Sequence, residues 1–245
     1  VLLTSTIISP TTRKIITEFS KKYGNTEHIM LDSVPYDAIL NANKNDFGVR
    51  ALPRYYFDKA KVIVSFGADF LANWGDNSYA TDYVNGRNPK SGKMSKHYQI
   101  ETNLSLTGSN ADMRIQIKPS EQKYLLSNLY RSLDGSKSDV RLSKIVKHLK
   151  SNKGSSIVVS DSTDEKVQRI VNAINHKLGN YSNTIDITKP SYLKQGDSKK
   201  VLSLINQMKQ GNISALITYN INPSYTLPNA QEFNKSLKNV ELKIS

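Results

Sequence analysis

Two hydrophobic periods alternate along the chain. Short runs of β-branched and apolar residues read as strands, and between them apolar residues return every three or four positions, as on one face of a helix. The pattern predicts strands over 2–8, 28–31, 61–66, 97–101, 113–117, 156–160, 215–219 and 240–244. Helices are predicted over 10–23, 34–43, 121–133, 141–149, 164–178, 199–209 and 231–237. Pro10 opens the first helix, with Ile15, Ile16 and Phe19 on one face and Tyr23-Gly24 closing it. Val167, Ile170, Val171 and Ile174 share a face of the helix that Gly179 ends. The run Lys61–Phe66 is nearly continuous in apolar residues, as in a parallel strand buried on both sides.

Strands alternating with helices predict an α/β fold of two doubly wound, mostly parallel αβα units. The polar turn-forming stretch 134–139 is the best linker, giving a first unit over 1–135 and a second over 136–245. Residues 73–96 show no clear period and read as a functional loop or an insertion.

Composition narrows the chemistry. The 245 residues contain no cysteine, which excludes disulfides, thiolate metal sites and a cysteine nucleophile within the chain. The formal net charge is +13, and residues 121–245 hold 19 basic against 10 acidic side chains. Lys outnumbers Arg 26 to 8, although phosphate and base readers favour the planar fork of Arg. A solubilising surface and a polyanion-binding surface both fit, and the final expectation is no nucleic-acid partner. No apolar run approaches the roughly 20 residues of a membrane-spanning helix, so no direct membrane insertion is expected. The chain begins at Val1 within a strand pattern and ends on another, which suggests a fragment of a longer protein.

Ligands of open α/β sheets sit beyond the carboxyl ends of the strands, so the turns there hold the candidates. They are Ser5 and Thr6, then Gly67, Ala68 and Asn73, then Glu101 and Thr102, and Asn222 with Pro223. Gly67 would let backbone N–H groups approach a phosphate, although many structural turns carry one glycine. No GxGxxG or P-loop pattern occurs, and no GxSxG elbow. His28, His97, His148 and His176 are isolated, with no metal-ligand spacing, so no metal site is expected. Trp74 is a ligand platform or, as for most lone Trp residues, part of a core or interface.

Three segments together carry a family resemblance. Ala60–Trp74, Asn110–Pro119 and Ala215–Asn229 resemble, in order, the strand-and-turn segments of molybdopterin oxidoreductases. The wording around Tyr219–Pro228 is similar to the molybdopterin-like half of the large iron–sulfur subunit of alternative complex III, a quinol:cytochrome c oxidoreductase. The resemblance implies domains like the nucleotide-clasping ones of formate dehydrogenase and DMSO reductase. It implies a cofactor-free structural module of a respiratory electron-transfer complex, with iron–sulfur clusters only on missing parts of the chain and no catalytic residues here. Partners would be other subunits of a membrane-bound complex at the periplasmic face of the bacterial inner membrane. The alternative is a working portion that binds molybdopterin guanine dinucleotide. Ser5, Thr6, Gly67, Ala68, Asn73, Glu101, Thr102, Asn222 and Pro223 would then line the clasp, with Lys118 near the phosphates. The chain departs from the family at Asp69-Phe70, where members carry Asn-Pro, and at Glu101-Thr102-Asn103, where they carry Asp-Pro-Arg.

Overall fold

The structure, a computed structural model, describes residues 1–92 and 94–245. In chain order the first half holds β1 (Leu2–Thr4), α1 (Pro10–Lys22), β2 (His28–Met30), α2 (Asp37–Phe47), β3 (Leu52–Tyr55), β4 (Val62–Phe66), α3 (Ser78–Asn85), β5 (Lys96–Glu101), α4 (Leu106–Ser109), β6 (Met113–Gln116) and α5 (Gln122–Leu133). Then come α6 (Ser143–Ser151), β7 (Ser156–Ser160), α7 (Glu165–Lys177), β8 (Ile185–Ser191), α8 (Ser198–Lys209), β9 (Ala215–Tyr219), α9 (Pro223–Thr226), α10 (Ala230–Leu237) and β10 (Leu242–Ile244). Local chemistry sets the helix ends. Ser9 accepts from the Thr12 N–H ahead of α1, Asp164 from Lys166 at α7, and Asp197 from Lys200 at α8. Gly179 ends α7 at φ 66°, a left-handed conformation that only glycine adopts cheaply.

The chain forms two compact units, as an α/β protein with parallel sheets. One comprises Val1–Asp37 with Tyr192–Ser245, the other Ala38–Ser191. The boundary expected at 134–139 falls inside the second unit. The reason is strand pairing: β7, after that turn, lies along β4, before it, from Val62↔Ser156 to Phe66↔Ser160. A hydrophobic pattern marks strands but not which strand each will join.

The first unit is a parallel sheet in the order β10-β9-β1-β2. Its core gathers Leu3, Ile29 and Leu216 from the strands under Val201, Leu204, Ile205 and Met208 of α8 and Phe233 of α10. The unit is made of two stretches of chain, and Asp32 joins them. This carboxylate, 8% exposed, accepts from the Thr6 N–H (3.1 Å) and Oγ1 (2.7 Å) on one side and from the N–H groups of Gln195 (3.1 Å) and Gly196 (2.8 Å) on the other. A Cβ on Gly196 would lie 2.9 Å from the Asp32 backbone N, so glycine is what permits the approach.

The second unit is a parallel sheet in the order β6-β5-β4-β7, with an antiparallel ribbon of β3 and β8. One core gathers Val62, Val64, Phe66, Tyr98, Ile100 and Val158 with Leu125, Leu126 and Leu129 of α5, Leu149 of α6 and Val171 and Ile174 of α7. A second is aromatic. Phe57 stacks on Phe70 with centroids 4.3 Å apart, and Tyr55, Trp74, Tyr79 and Tyr83 surround the pair. The stretch without period thus holds α3, whose Tyr79 and Tyr83 are buried, and Trp74 is a core residue. β3 and β8 escape the sequence pattern because each carries a proline and charged residues in an edge ribbon.

Replacing Asp32 by Ala leaves three donors without their acceptor, the Thr6 N–H and Oγ1 and the Gly196 N–H, while the Gln195 N–H keeps Thr6 Oγ1 at 2.7 Å. The variant should lose about 3 kcal/mol, measured by urea unfolding. A loss below about 0.5 kcal/mol would show that the clamp is not a stabilising contact.

Candidate functional site

All strands of each parallel sheet run the same way, so each sheet gathers its carboxyl ends along one edge. In the second unit that edge holds a cleft of about 240 Å³ lined by Gly67, Glu101, Thr102, Asn103, Ser105, Gln122 and Asp161, with Ile100, Ile117 and Pro119. Three residues expected from the sequence, Gly67, Glu101 and Thr102, therefore come together. Gln122 joins them unannounced, and Asp161 comes from the turn that follows β7. A residue beyond a strand end, as Asp161 follows β7, was legible as a turn; the sheet order that sets β7 beside β4 was not.

The donors on the Gly67 and Asp161 side of the cleft are already used. The Gly67 N–H bonds the Ile100 carbonyl at 2.9 Å and the Asp161 N–H bonds the Phe66 carbonyl at 3.0 Å. Glu101, 4% exposed, accepts from Gln99 Nε2 (3.0 Å), the Ser105 N–H (3.2 Å) and Oγ (2.6 Å), and Arg114 Nε (2.6 Å). Burial pushes its carboxyl up, but the bonds from Ser105, Arg114 and Gln99 outweigh this and hold it below the ordinary value. Asp69 turns to the first turn of α4, accepting from the Thr107 N–H (2.9 Å) and Oγ1 (2.7 Å).

Asp161 is the carboxylate that faces the cleft with fewest partners. Gln122 Nε2 donates to it at 2.8 Å and to the Phe66 carbonyl at 3.0 Å. Desolvation of the head group raises its pKa, and the charge of Glu101 adds to the shift. Gly67 has φ 73°, and a Cβ there would lie 2.4 Å from Asp161 Oδ1. The carboxyl thus stands in the space beside the glycine turn where a phosphate would approach.

The other expected residues lie elsewhere. Ala68 is fully buried, and its carbonyl accepts from Ser65 Oγ. Asn73 sits in the exposed turn after Asp69, outside the cleft lining. Lys118 is exposed, and its N–H is capped by Glu121 Oε2 at 2.8 Å. Ser5, Thr6, Asn222 and Pro223 belong to the first unit. Thr6 serves Asp32, and Ser5 Oγ accepts from Asn220 Nδ2 at 3.3 Å. Asn222 and Pro223 open α9, the Asn222 carbonyl accepting from the N–H groups of Tyr225 and Thr226, and both line a separate cleft of about 350 Å³.

Behind the cleft runs a buried polar chain along one face of β5. His97 Nδ1 lies 3.0 Å from Tyr83 Oη, and His97 Nε2 lies 3.3 Å from Gln99 Oε1. Gln99 must give its N–H to Glu101, so its oxygen faces His97, whose Nε2 then carries the proton. Burial pushes the His97 pKa down to about 4. Among the described residues no group of three or more His, Asp or Glu side chains stands close enough to hold a metal ion.

No protein-family profile matches the chain, and no curated protein matches it in sequence. Its fold is similar to a chain in the X-ray crystal structure of the formyltransferase/hydrolase complex (FhcABCD) from Methylorubrum extorquens in complex with methylofuran. The TM-score is 0.63 at 12% identity, over 100% of this chain and 78% of that one. At that identity the likeness is one of fold. These findings overturn the assignment to molybdopterin oxidoreductases. They also overturn the respiratory iron–sulfur subunit, in its cofactor-free and its pterin-binding form, and the link to alternative complex III. The periplasmic placement that followed from it loses its basis. The segments that carried the resemblance are turn chemistry that parallel βα units share: Gly67 is a left-handed turn and Asn222-Pro223 a helix start.

Gly67→Ala should cost about 2 kcal/mol, part from φ and part from the meeting with Asp161. Adding Asp161→Ala should recover the second part, leaving about 1 kcal/mol. Equilibrium unfolding of the single and double variants checks this, and strict additivity would refute the contact.

His97 has its folded pKa below its unfolded one, so the unfolded chain binds the proton first as pH falls. The stability that neutral His97 contributes is complete above pH 6.5 and is lost as pH drops toward about 4. The loss should reach about 3 kcal/mol over that window and be absent in His97→Gln. Urea unfolding of both proteins across the window is the measurement.

Proposed function

We propose that this chain is a non-catalytic module of a multi-subunit assembly, contributing packing surface and not a reacting centre. One observation carries the reading. Several of the N–H groups that could hold an anionic ligand at the carboxyl edges of the two sheets are bound by the protein's own carbonyls and carboxylates. Asp32 takes those of Thr6, Gln195 and Gly196, while Glu101 and Asp69 take those of Ser105 and Thr107. A phosphate or carboxylate ligand using these donors would have to displace the internal acids, of which Asp32 and Glu101 are buried, and break the bonds they already make. The fold neighbour's membership of a formyltransferase/hydrolase complex supports an assembled state for this chain as well. Among the described residues no helix is long and apolar enough to cross a membrane.

Native mass spectrometry of the protein purified from its source should show it in stoichiometric complex with other subunits. Calorimetric titration with ADP, inorganic pyrophosphate and a dinucleotide should give no binding tighter than about 1 mM. A dissociation constant below about 100 μM for any of them, lost in Gly67→Ala, would replace the assembly reading with a ligand-binding one.

A further inference from the structure

Helix α7 has an outward face that is not polar throughout. By helical spacing Arg169, Ala173, His176 and Lys177 point away from the core that Val167, Val171 and Ile174 help to fill. A solvated helix face normally carries polar and charged side chains along its whole length. Here its middle is Ala173, with the half-buried Ile170 beside it. Two aromatic residues from neighbouring helices complete a groove over this spot, Phe47 at the end of α2 and Tyr130 of α5. Its volume is about 870 Å³, within the range of roughly 300–1,000 Å³ usual for small-molecule sites. All its residues belong to the second unit, and none lines the cleft at the carboxyl edge of the sheet.

The walls are held in place. The Phe47 ring packs on Tyr181 with centroids 4.7 Å apart, and the Tyr181 hydroxyl donates to Asn172 Oδ1 at 3.2 Å. Lys177 Nζ lies 3.9 Å from the centre of the Tyr130 ring and pairs with Asp134. The polar groups then decide the charge of a ligand. Asp46 is the one carboxylate in the lining, and both its oxygens are bonded, Oδ1 by Arg169 Nε at 2.8 Å and Oδ2 by Asn172 Nδ2 at 3.0 Å. Arg169 gives only its Nε to Asp46, so among the described residues both terminal amino groups of its guanidinium bond no protein acceptor. The exposed His176 ring bonds no protein group either and adds no negative charge. The hydrogen-bonding capacity left in the groove is therefore donor capacity at Arg169, beside apolar and aromatic surface.

We infer that this groove binds a small aromatic carboxylate. The ring lies over Ala173 between Phe47 and Tyr130, and the carboxylate accepts from the terminal amino groups of Arg169, whose planar fork matches two carboxylate oxygens. The small side chain of Ala173 makes the room, and walls already fixed lose little freedom when the ligand enters. A nucleotide does not suit this chemistry, because one open guanidinium does not offset several negative charges drawn out of water. The inference goes beyond the assembly reading and does not depend on it, and binding here implies no reaction.

Calorimetric titration of the whole chain with naphthalene-2-carboxylate tests this. The dissociation constant should lie below about 300 μM at one site, and the uncharged, isosteric naphthalene-2-carboxamide should bind at least about fivefold more weakly. Ala173→Leu fills the floor of the groove at a partly exposed position and should weaken both ligands at least about tenfold. Arg169→Gln should weaken the carboxylate about fivefold and leave the carboxamide unchanged, a split that a loss of folding would not produce. In spectra of the nitrogen-15-labelled chain, the amide shifts caused by the carboxylate should centre on Ala173. No binding of the carboxylate, equal binding of the two ligands, shifts centred elsewhere, or affinity indifferent to Ala173→Leu would overturn the inference. So would binding by the free chain that disappears in its native complex, since a partner subunit would then be the occupant of the groove.

Discussion

Donor groups left at the carboxyl edges of parallel sheets need acceptors, and in this protein internal carboxylates supply them. Asp32 is the clearest case. It sits at the end of β2, receives the turn after β1, and receives the segment that returns to the unit after residues 38–191 have formed the other. Without an acceptor there, backbone N–H groups from two chain segments would be buried unpaired. The clamp therefore holds the start of the returning segment, just ahead of α8, against the turns that follow β1 and β2.

The second unit solves the same problem with Glu101 and Asp69. These two acids take the backbone and hydroxyl donors at the start of α4, while Arg114 and Gln99 complete the bonding of Glu101. The solution has a functional consequence. At this edge Asp161 stands against the Gly67 turn, in the space where a phosphate would approach.

The polar chain from Tyr83 through His97 and Gln99 to Glu101 ties the aromatic core to this edge. Its direction is set at the charged end. Bonds from Ser105 and Arg114 hold the Glu101 carboxyl below its ordinary value, Glu101 orients the amide of Gln99, and the amide selects the tautomer of His97. Every polar group in the row has a partner, which is what allows four such side chains to sit behind the cleft without opening the core to water.

Much of the fold was legible in the residues themselves. Hydrophobic period placed β4, β7, β9, α5, α7 and α8 within a residue or two, because burial on one helix face or both strand faces leaves a local mark. Turn chemistry placed Gly67, Gly179 and Asn222-Pro223, because left-handed and N-terminal positions accept few residue types. Pairing was not legible: β7 joins β4 across the apparent linker, and β1 joins β9 from the far end of the chain, since these choices are made by surfaces that meet only after collapse. The site divides the same way. Residue types alone put Gly67, Glu101 and Thr102 at strand ends and suggested a ligand there. Tertiary structure decided that the Gly67 N–H and the Glu101 carboxylate are already bonded, because an acid's role depends on which N–H groups and cations the fold brings near it, and no local sequence pattern records that distance.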